Sequence, residues 1–177
     1  MTWLDIGCGG MPKGTVNLDL FQGESPHTTQ VINPKEINNF TNGSAGFLPY
    51  RDKSCRIVSG YNLIEHSLIP TVWLAEMVRV CKKYLVIVVP NHPRMMEHHT
   101  HYYSWSKKSL ENLLSEYGEV IYSKTRLMWW NSDRLLKAIS KVPFLILRRR
   151  VYHVLNFLFG MEIVVMVDVT RGKQNGN

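Results

Sequence analysis

Along most of this chain, short apolar stretches alternate with amphipathic ones. Residues 2–6 (TWLDI) and 15–20 (TVNLDL) read as brief strands, each closed by turn-forming residues. Residues 21–54 are rich in Asn, Gly, Pro and Ser and predict loops, with room for one short strand. Beyond them the pattern sharpens. Residues 55–61 (CRIVSGY) predict a buried strand, and residues 70–83 an amphipathic helix with Val72, Ala75, Met77 and Val78 among its inner positions. Residues 84–90 (YLVIVVP) are apolar almost throughout, the mark of a strand covered on both faces of a parallel sheet. A second helix is expected over 106–118, with Ser106 or Ser109 as N-cap and Gly118 as its stop, and further strands over 119–129 and 161–169. Such alternation is that of an α/β protein with a mostly parallel, doubly wound sheet.

Composition narrows the class. The 177 residues, 45% hydrophobic and 11% aromatic, suit one packed domain spanning 1–177. Cys8, Cys55 and Cys81 match neither a disulfide framework nor a zinc knuckle, which favours a reducing compartment. With no charged leader before an apolar core, and no apolar run near the roughly 18 residues needed to span a bilayer, the expected location is cytoplasmic.

The net charge of +7 has an address. Between Lys124 and Arg150 eight basic residues face one acid, Asp133, so this segment accounts for the whole excess. Residues 131–160 are also apolar, with Leu135, Leu136, Ile139 and Phe144 to Leu147 ahead of Arg148 to Arg150. Three readings apply: a helical insertion packing on the sheet, a peripheral membrane-surface element, or a nucleic-acid contact. Its apolar content favours the first two, so nucleic acid is not expected as a partner.

In doubly wound sheets ligands lie beyond the carboxyl ends of the strands. The first such place is Gly7-Cys8-Gly9-Gly10, where glycines permit a tight turn and let backbone N–H groups approach a ligand. Taken alone, it could equally be a plain turn. Asp19 closes the next strand, where an acid can accept hydrogen bonds from both ribose hydroxyls.

Four ordered blocks, LDIGCGG, Asp19, LPYRDKSCRIVSGYNLIEHS and LAEMVRVCKKYLVIVVPN, resemble the class I S-adenosylmethionine-dependent methyltransferases, in the branch that acts largely on small molecules. The similarity spans residues 3–123. It implies a Rossmann-like class I methyltransferase fold whose last strand is antiparallel, and S-adenosylmethionine as cofactor. It further implies that Asp5, Gly7 and Gly9 serve the methionine end, Asp19 the ribose and Leu48 the adenine, with Cys8 and Leu20 also at the cofactor and Tyr61 and Asn62 lining the cofactor and substrate side. The implied acceptor is small or amphiphilic: lipid-, quinone- or glycan-linked.

The chain also departs from that pattern. Only Gly10 to Leu18 separate the glycine turn from Asp19, so the first βαβ unit is shortened and its helix is missing. No acid precedes the LPY block near the adenine, where Asn39, Asn42 or Ser44 must stand in, and Cys55-Arg56 replaces Phe-Asp. These losses support a rival reading, a non-catalytic methyltransferase-like partner or membrane-docking module; the retained Asp5, Gly7, Gly9 and Asp19 argue for the enzyme.

Glu65 and His66 follow the strand expected over 55–61, where a general base could sit, although a structural role for the pair is the simpler expectation. His92, His98, His99 and His101 crowd one segment without a zinc-site spacing, which favours a substrate-facing loop and no metal. His101, Tyr102 and Tyr103 are its acceptor-side candidates.

Overall fold

A computed structural model describes residues 1–26, 28–91, 100–126 and 162–172. The element order is β1 (Trp3–Ile6), β2 (Val16–Asp19), β3 (Gly23–Ser25), β4 (Thr28–Ile32), β5 (Phe40–Asn42), β6 (Cys55–Tyr61), α1 (Pro70–Val80), β7 (Cys81–Pro90), α2 (Lys107–Leu114), β8 (Glu119–Arg126) and β9 (Glu162–Asp168). Seven strands form one sheet in the order β5-β2-β1-β6-β7-β9-β8. Neighbours from β5 to β7 are parallel, and β9 runs antiparallel to both β7 and β8. The fold is therefore the α/β arrangement read from the sequence, with a short first unit and an antiparallel last strand.

Side-chain alternation sorts the sheet into two faces. Leu4, Ile6, Val58, Leu85, Ile87, Val89, Ile163 and Val165 point to one side, where Leu74, Met77 and Val80 of α1 and Leu110 and Leu114 of α2 complete the main core. Both described helices thus cover the same face. A smaller cluster, Val86, Val88 and Val164 with Ile57, Tyr61 and Met166, occupies the other.

Several element boundaries differ from expectation. Helix α1 stops at Val80, and β7 starts at Cys81, which is fully buried and pairs with Cys55. Val72 and Ala75 are exposed; Leu74 and Val80 hold the inner positions instead, beside the expected Met77 and the half-buried Val78. Ser106 caps α2 in a capping box with Ser109, but the helix ends at Leu114. Gly118 serves the sheet: a Cβ there would lie 2.5 Å from the Asp168 carbonyl oxygen. The region 21–54 holds three short strands where one was expected, an antiparallel β3–β4 pair and β5 on the sheet edge.

The connection from β1 to β2 has no helix and runs back along β1. Gly14 lies so close to that strand that a Cβ would be 2.7 Å from the Trp3 carbonyl oxygen and 2.8 Å from the Asp5 nitrogen. Asn17, buried on β2, locks the turn: its Oδ1 accepts from the Gly14 N–H, and its Nδ2 donates to the carbonyls of Gly14 and Asn38.

No helix among the described residues is long and apolar enough to cross a membrane. The expected insertion at 131–160, with its membrane-surface reading, lies outside the described residues, as do His92, His98 and His99.

Candidate active site

The strand order reverses between β1 and β6, and a cavity of about 430 Å³ opens there beyond the carboxyl ends of β1, β2 and β6. Of the residues singled out from sequence, Gly7, Cys8, Gly9, Asp19, Leu20, Tyr61, Asn62 and His66 line it. Asp5, Leu48, Glu65, His101, Tyr102 and Tyr103 do not.

The glycine loop is built by inward-facing bonds. The Gly7 and Cys8 N–H groups both donate to the Leu18 carbonyl, at 2.8 and 3.1 Å, and the Gly9 N–H donates to Asp19 Oδ2 at 2.9 Å. These amides secure the loop to β2, whereas the sequence reading turned them toward a ligand. The loop needs left-handed backbone at Gly7 (φ 67°) and Gly9 (φ 55°). A Cβ on Gly7 would meet Leu63 at 2.7 Å, but one on Gly9 would meet nothing within 4 Å, so Gly9 borders open cavity. Burial, reinforced by the nearby Asp19 and Asp5 charges, pushes the Cys8 thiol up to about 12. Cys8 is packing material, set against Ile32 and Ile37, and is no nucleophile.

Asp5 lies beneath the cavity. Its Oδ2 accepts from the Lys13 N–H at 2.9 Å and its Oδ1 from the Ser59 hydroxyl at 2.8 Å, while the Trp3 indole N–H donates to Ser59. Burial raises the Asp5 pKa against these bonds. Its observed work is to fix the loop that carries Lys13. The Lys13 ammonium stands 4.4 Å from the centre of the Tyr61 ring on the cavity wall. It places positive charge in the cavity where the absent helix would have offered its N-terminus.

Asp19 is nearly buried, and its Oδ1 accepts from the Phe21 N–H at 2.9 Å. Each carboxylate oxygen carries a second lone pair, so two backbone bonds leave capacity for two more. At the adenine side of the resemblance, Ser44 and Ala45 form the wall. Asn39 is instead bonded to the Thr15 carbonyl, and Asn42 clamps the carbonyls of Asp19 and Leu20. Leu48 is held in the core because its N–H donates to Glu76 and its carbonyl accepts from Arg79, both on α1.

Two polar groups complete the wall: Asn62, expected from the sequence, and Glu162, which lay beyond sequence reasoning. Asn62 adopts left-handed backbone (φ 48°), and its buried Oδ1 has no hydrogen-bond partner among the described residues. Glu162 is buried and paired with Arg126 at 3.0 Å; burial raises its pKa, opposed by Arg126 and the Asn62 side chain. Being antiparallel, β9 brings its first residue to the edge where its parallel neighbours end. An acid opening an apolar run was the available signal.

Glu65 and His66 lie in a single turn of 3-10 helix, Ile64–His66. Glu65 is wholly buried, neither carboxylate oxygen has a partner among the described residues, and burial pushes the carboxyl up to about 8. The Tyr102 and Tyr103 N–H groups donate to the Glu65 carbonyl, which draws His101 against His66 with ring centres 4.7 Å apart. Tyr103 stacks on Trp105 and donates through its hydroxyl to the Leu68 carbonyl. A second recess, lined by Leu68, Ile69, Val72 and Tyr102, shares His66 and Trp73 with the main cavity.

No family model and no curated protein matches this chain. Solved structures do match. A chain of the complex between the Haloferax volcanii Trm112 methyltransferase activator and a protein described as a methyltransferase aligns with a TM-score of 0.62 at 14% identity, covering 99% of this chain and 84% of that one. A SAM-dependent methyltransferase from Thermotoga maritima gives 0.62 at 14% identity over 94% of this chain and 81% of its own. Another from Archaeoglobus fulgidus gives 0.55 at 17% identity over 94% and 85%. The chain has the class I SAM-dependent methyltransferase fold.

Proposed function

We propose that this protein is an S-adenosylmethionine-dependent methyltransferase acting on a small or amphiphilic acceptor. The observation that carries the reading is the polar wall of the main cavity. Asp19 with spare lone pairs, the unpartnered Asn62 Oδ1 and the Glu162 carboxylate all border one space at the point where the strand order reverses. A ligand rich in hydroxyl and ammonium donors fits that wall, and the open side of Gly9 gives it room.

In this reading Asp19 accepts from the ribose hydroxyls, Lys13 faces the methionine carboxylate, and Glu162 with Asn62 accepts from the ammonium. Ser44, Ala45 and Ile32 flank the adenine. The cofactor supplies a methyl group already activated on a sulfonium. The protein's remaining task is to align an acceptor atom with that methyl and to exclude water. A base is required only if the acceptor must lose a proton, and His66, on the wall between cavity and recess, is the residue placed to take it. His101, Tyr102 and Tyr103 border the acceptor side. The exposed Leu68, Ile69 and Val72 around the recess favour an acceptor with an apolar portion.

Gly9→Leu tests the cavity assignment. The variant should lose about 1–2 kcal/mol of stability, since a side chain disfavours left-handed backbone, yet bind S-adenosylmethionine at least about a hundredfold more weakly because the new side chain fills the cavity. Calorimetric titration beside a thermal melt checks both; unchanged affinity would place the cofactor elsewhere.

A further inference from the structure

We propose that Glu65, His66 and His101 form a binding site for a single divalent transition-metal ion of the zinc class, at the junction of the main cavity and the apolar recess. One carboxylate oxygen of Glu65 and one ring nitrogen from each histidine all lie within 4.8 Å of one another. Tetrahedral metal bonds of about 2.0–2.2 Å to nitrogen and oxygen place such donors about 3.3–3.6 Å apart. Side-chain movement of about an ångström closes the difference.

The second observation is the Glu65 side chain itself. It is fully buried, and neither oxygen has a hydrogen-bond partner among the described residues. Buried without a donor, this carboxyl stays neutral unless a cation joins it, and buried charges are ordinarily paired or bound to metal. A cation held between Glu65 and the two imidazoles supplies the missing partner.

The backbone presets the cluster. Thr100 lies 3.1 Å from His66 Nδ1 through both its carbonyl and its hydroxyl oxygen. When Nδ1 carries the proton and donates to that carbonyl, the lone pair is on Nε2, the arrangement in which metal-bound histidines are typically held. The Tyr102 N–H bond to the Glu65 carbonyl, at 2.8 Å, fixes the neighbouring His101 beside the Glu65-His66 turn. Residues 35 positions apart thus meet, a juxtaposition that ligand spacing within one segment does not reveal.

Two imidazoles and one carboxylate suit zinc, iron(II), cobalt(II) or manganese(II) better than calcium or magnesium, which prefer oxygen. Three protein ligands leave a coordination position open. Because His66 lines both cavities, an oxygen or nitrogen of a bound molecule can take that position, and with metal bound His66 is a ligand and not the base. The site does not depend on the methyltransferase reading, and its test uses metal alone.

Chelator-treated full-length protein is titrated with cobalt(II), whose visible absorption reports coordination, and with zinc(II) in competition. The expected result is one tightly bound equivalent per chain, with affinity reduced at least about tenfold in Glu65→Gln and in His101→Ala. His101 is only half-buried, so its variant should fold even if the Glu65 variant does not, and circular dichroism verifies this. Absence of binding to the folded parent chain would overturn the proposal, as would binding that both folded variants retain unchanged.

Discussion

Replacing Asp19 with alanine should weaken S-adenosylmethionine binding by at least about a hundredfold, since each hydrogen bond to a charged group contributes about 1.5–3 kcal/mol and the ribose offers two. The same variant should also lose stability. Asp19 holds the Gly9 and Phe21 N–H groups at 2.9 Å each, and losing these part-buried bonds costs about 0.5–1.5 kcal/mol apiece. A fall in melting temperature alone therefore says nothing about the cofactor. Asp19→Asn separates the two effects: its oxygen keeps one backbone bond, so it should be the more stable variant, while its NH2 cannot accept from a hydroxyl. Titration of both variants below their melting temperatures checks this. Wild-type affinity in either would remove Asp19 from the binding site.

Gly14→Ala should be among the most destabilising single-methyl changes in the chain, costing about 3 kcal/mol, the upper end of the usual range for overpacking. Most added methyl groups meet side chains that can rotate away. Here the neighbours are backbone: the Val16 oxygen at 2.5 Å, the Trp3 oxygen at 2.7 Å and the Asp5 nitrogen at 2.8 Å. Relief requires moving β1 from β2, which would disturb the Leu4↔Val16 and Asp5↔Asn17 pairing and the Asn17 bonds that close the turn. Chemical denaturation should show a lower midpoint with an unchanged slope. A midpoint equal to the parent's would mean that the β1–β2 connection is looser than described.

Both predictions turn on a connection whose shortness was readable and whose consequences were not. The count from Gly10 to Leu18 excluded a helix, but only the folded chain shows that the return path runs against β1 and so demands glycine at 14. The strand pattern was legible because β7 is apolar on both faces, and because Asp19 follows an apolar run immediately. Helix α1 was harder: Val72 and Ala75 are apolar yet face solvent, and composition does not distinguish them from Leu74 and Val80. Leu48 was placed by resemblance, but Glu76 and Arg79 on α1 hold it in the core.

The site was legible where its residues follow parallel strands in the chain. Gly7, Gly9, Asp19, Tyr61 and Asn62 all occupy such positions. Glu162 and Arg126 reach the same edge through strand reversal and a pairing across 36 positions, which no local pattern encodes. The meeting of Glu65, His66 and His101 depends likewise on backbone bonds between distant segments.

The central claim is that the cavity between β1, β2 and β6 holds S-adenosylmethionine. Isothermal titration of the purified full-length chain with S-adenosylmethionine and with S-adenosylhomocysteine tests it most directly. The account predicts saturable one-to-one binding at micromolar concentrations, about −8 kcal/mol, for both compounds. Absence of heat and of thermal stabilisation in a folded sample would contradict it, leaving a methyltransferase fold whose cavity serves another ligand.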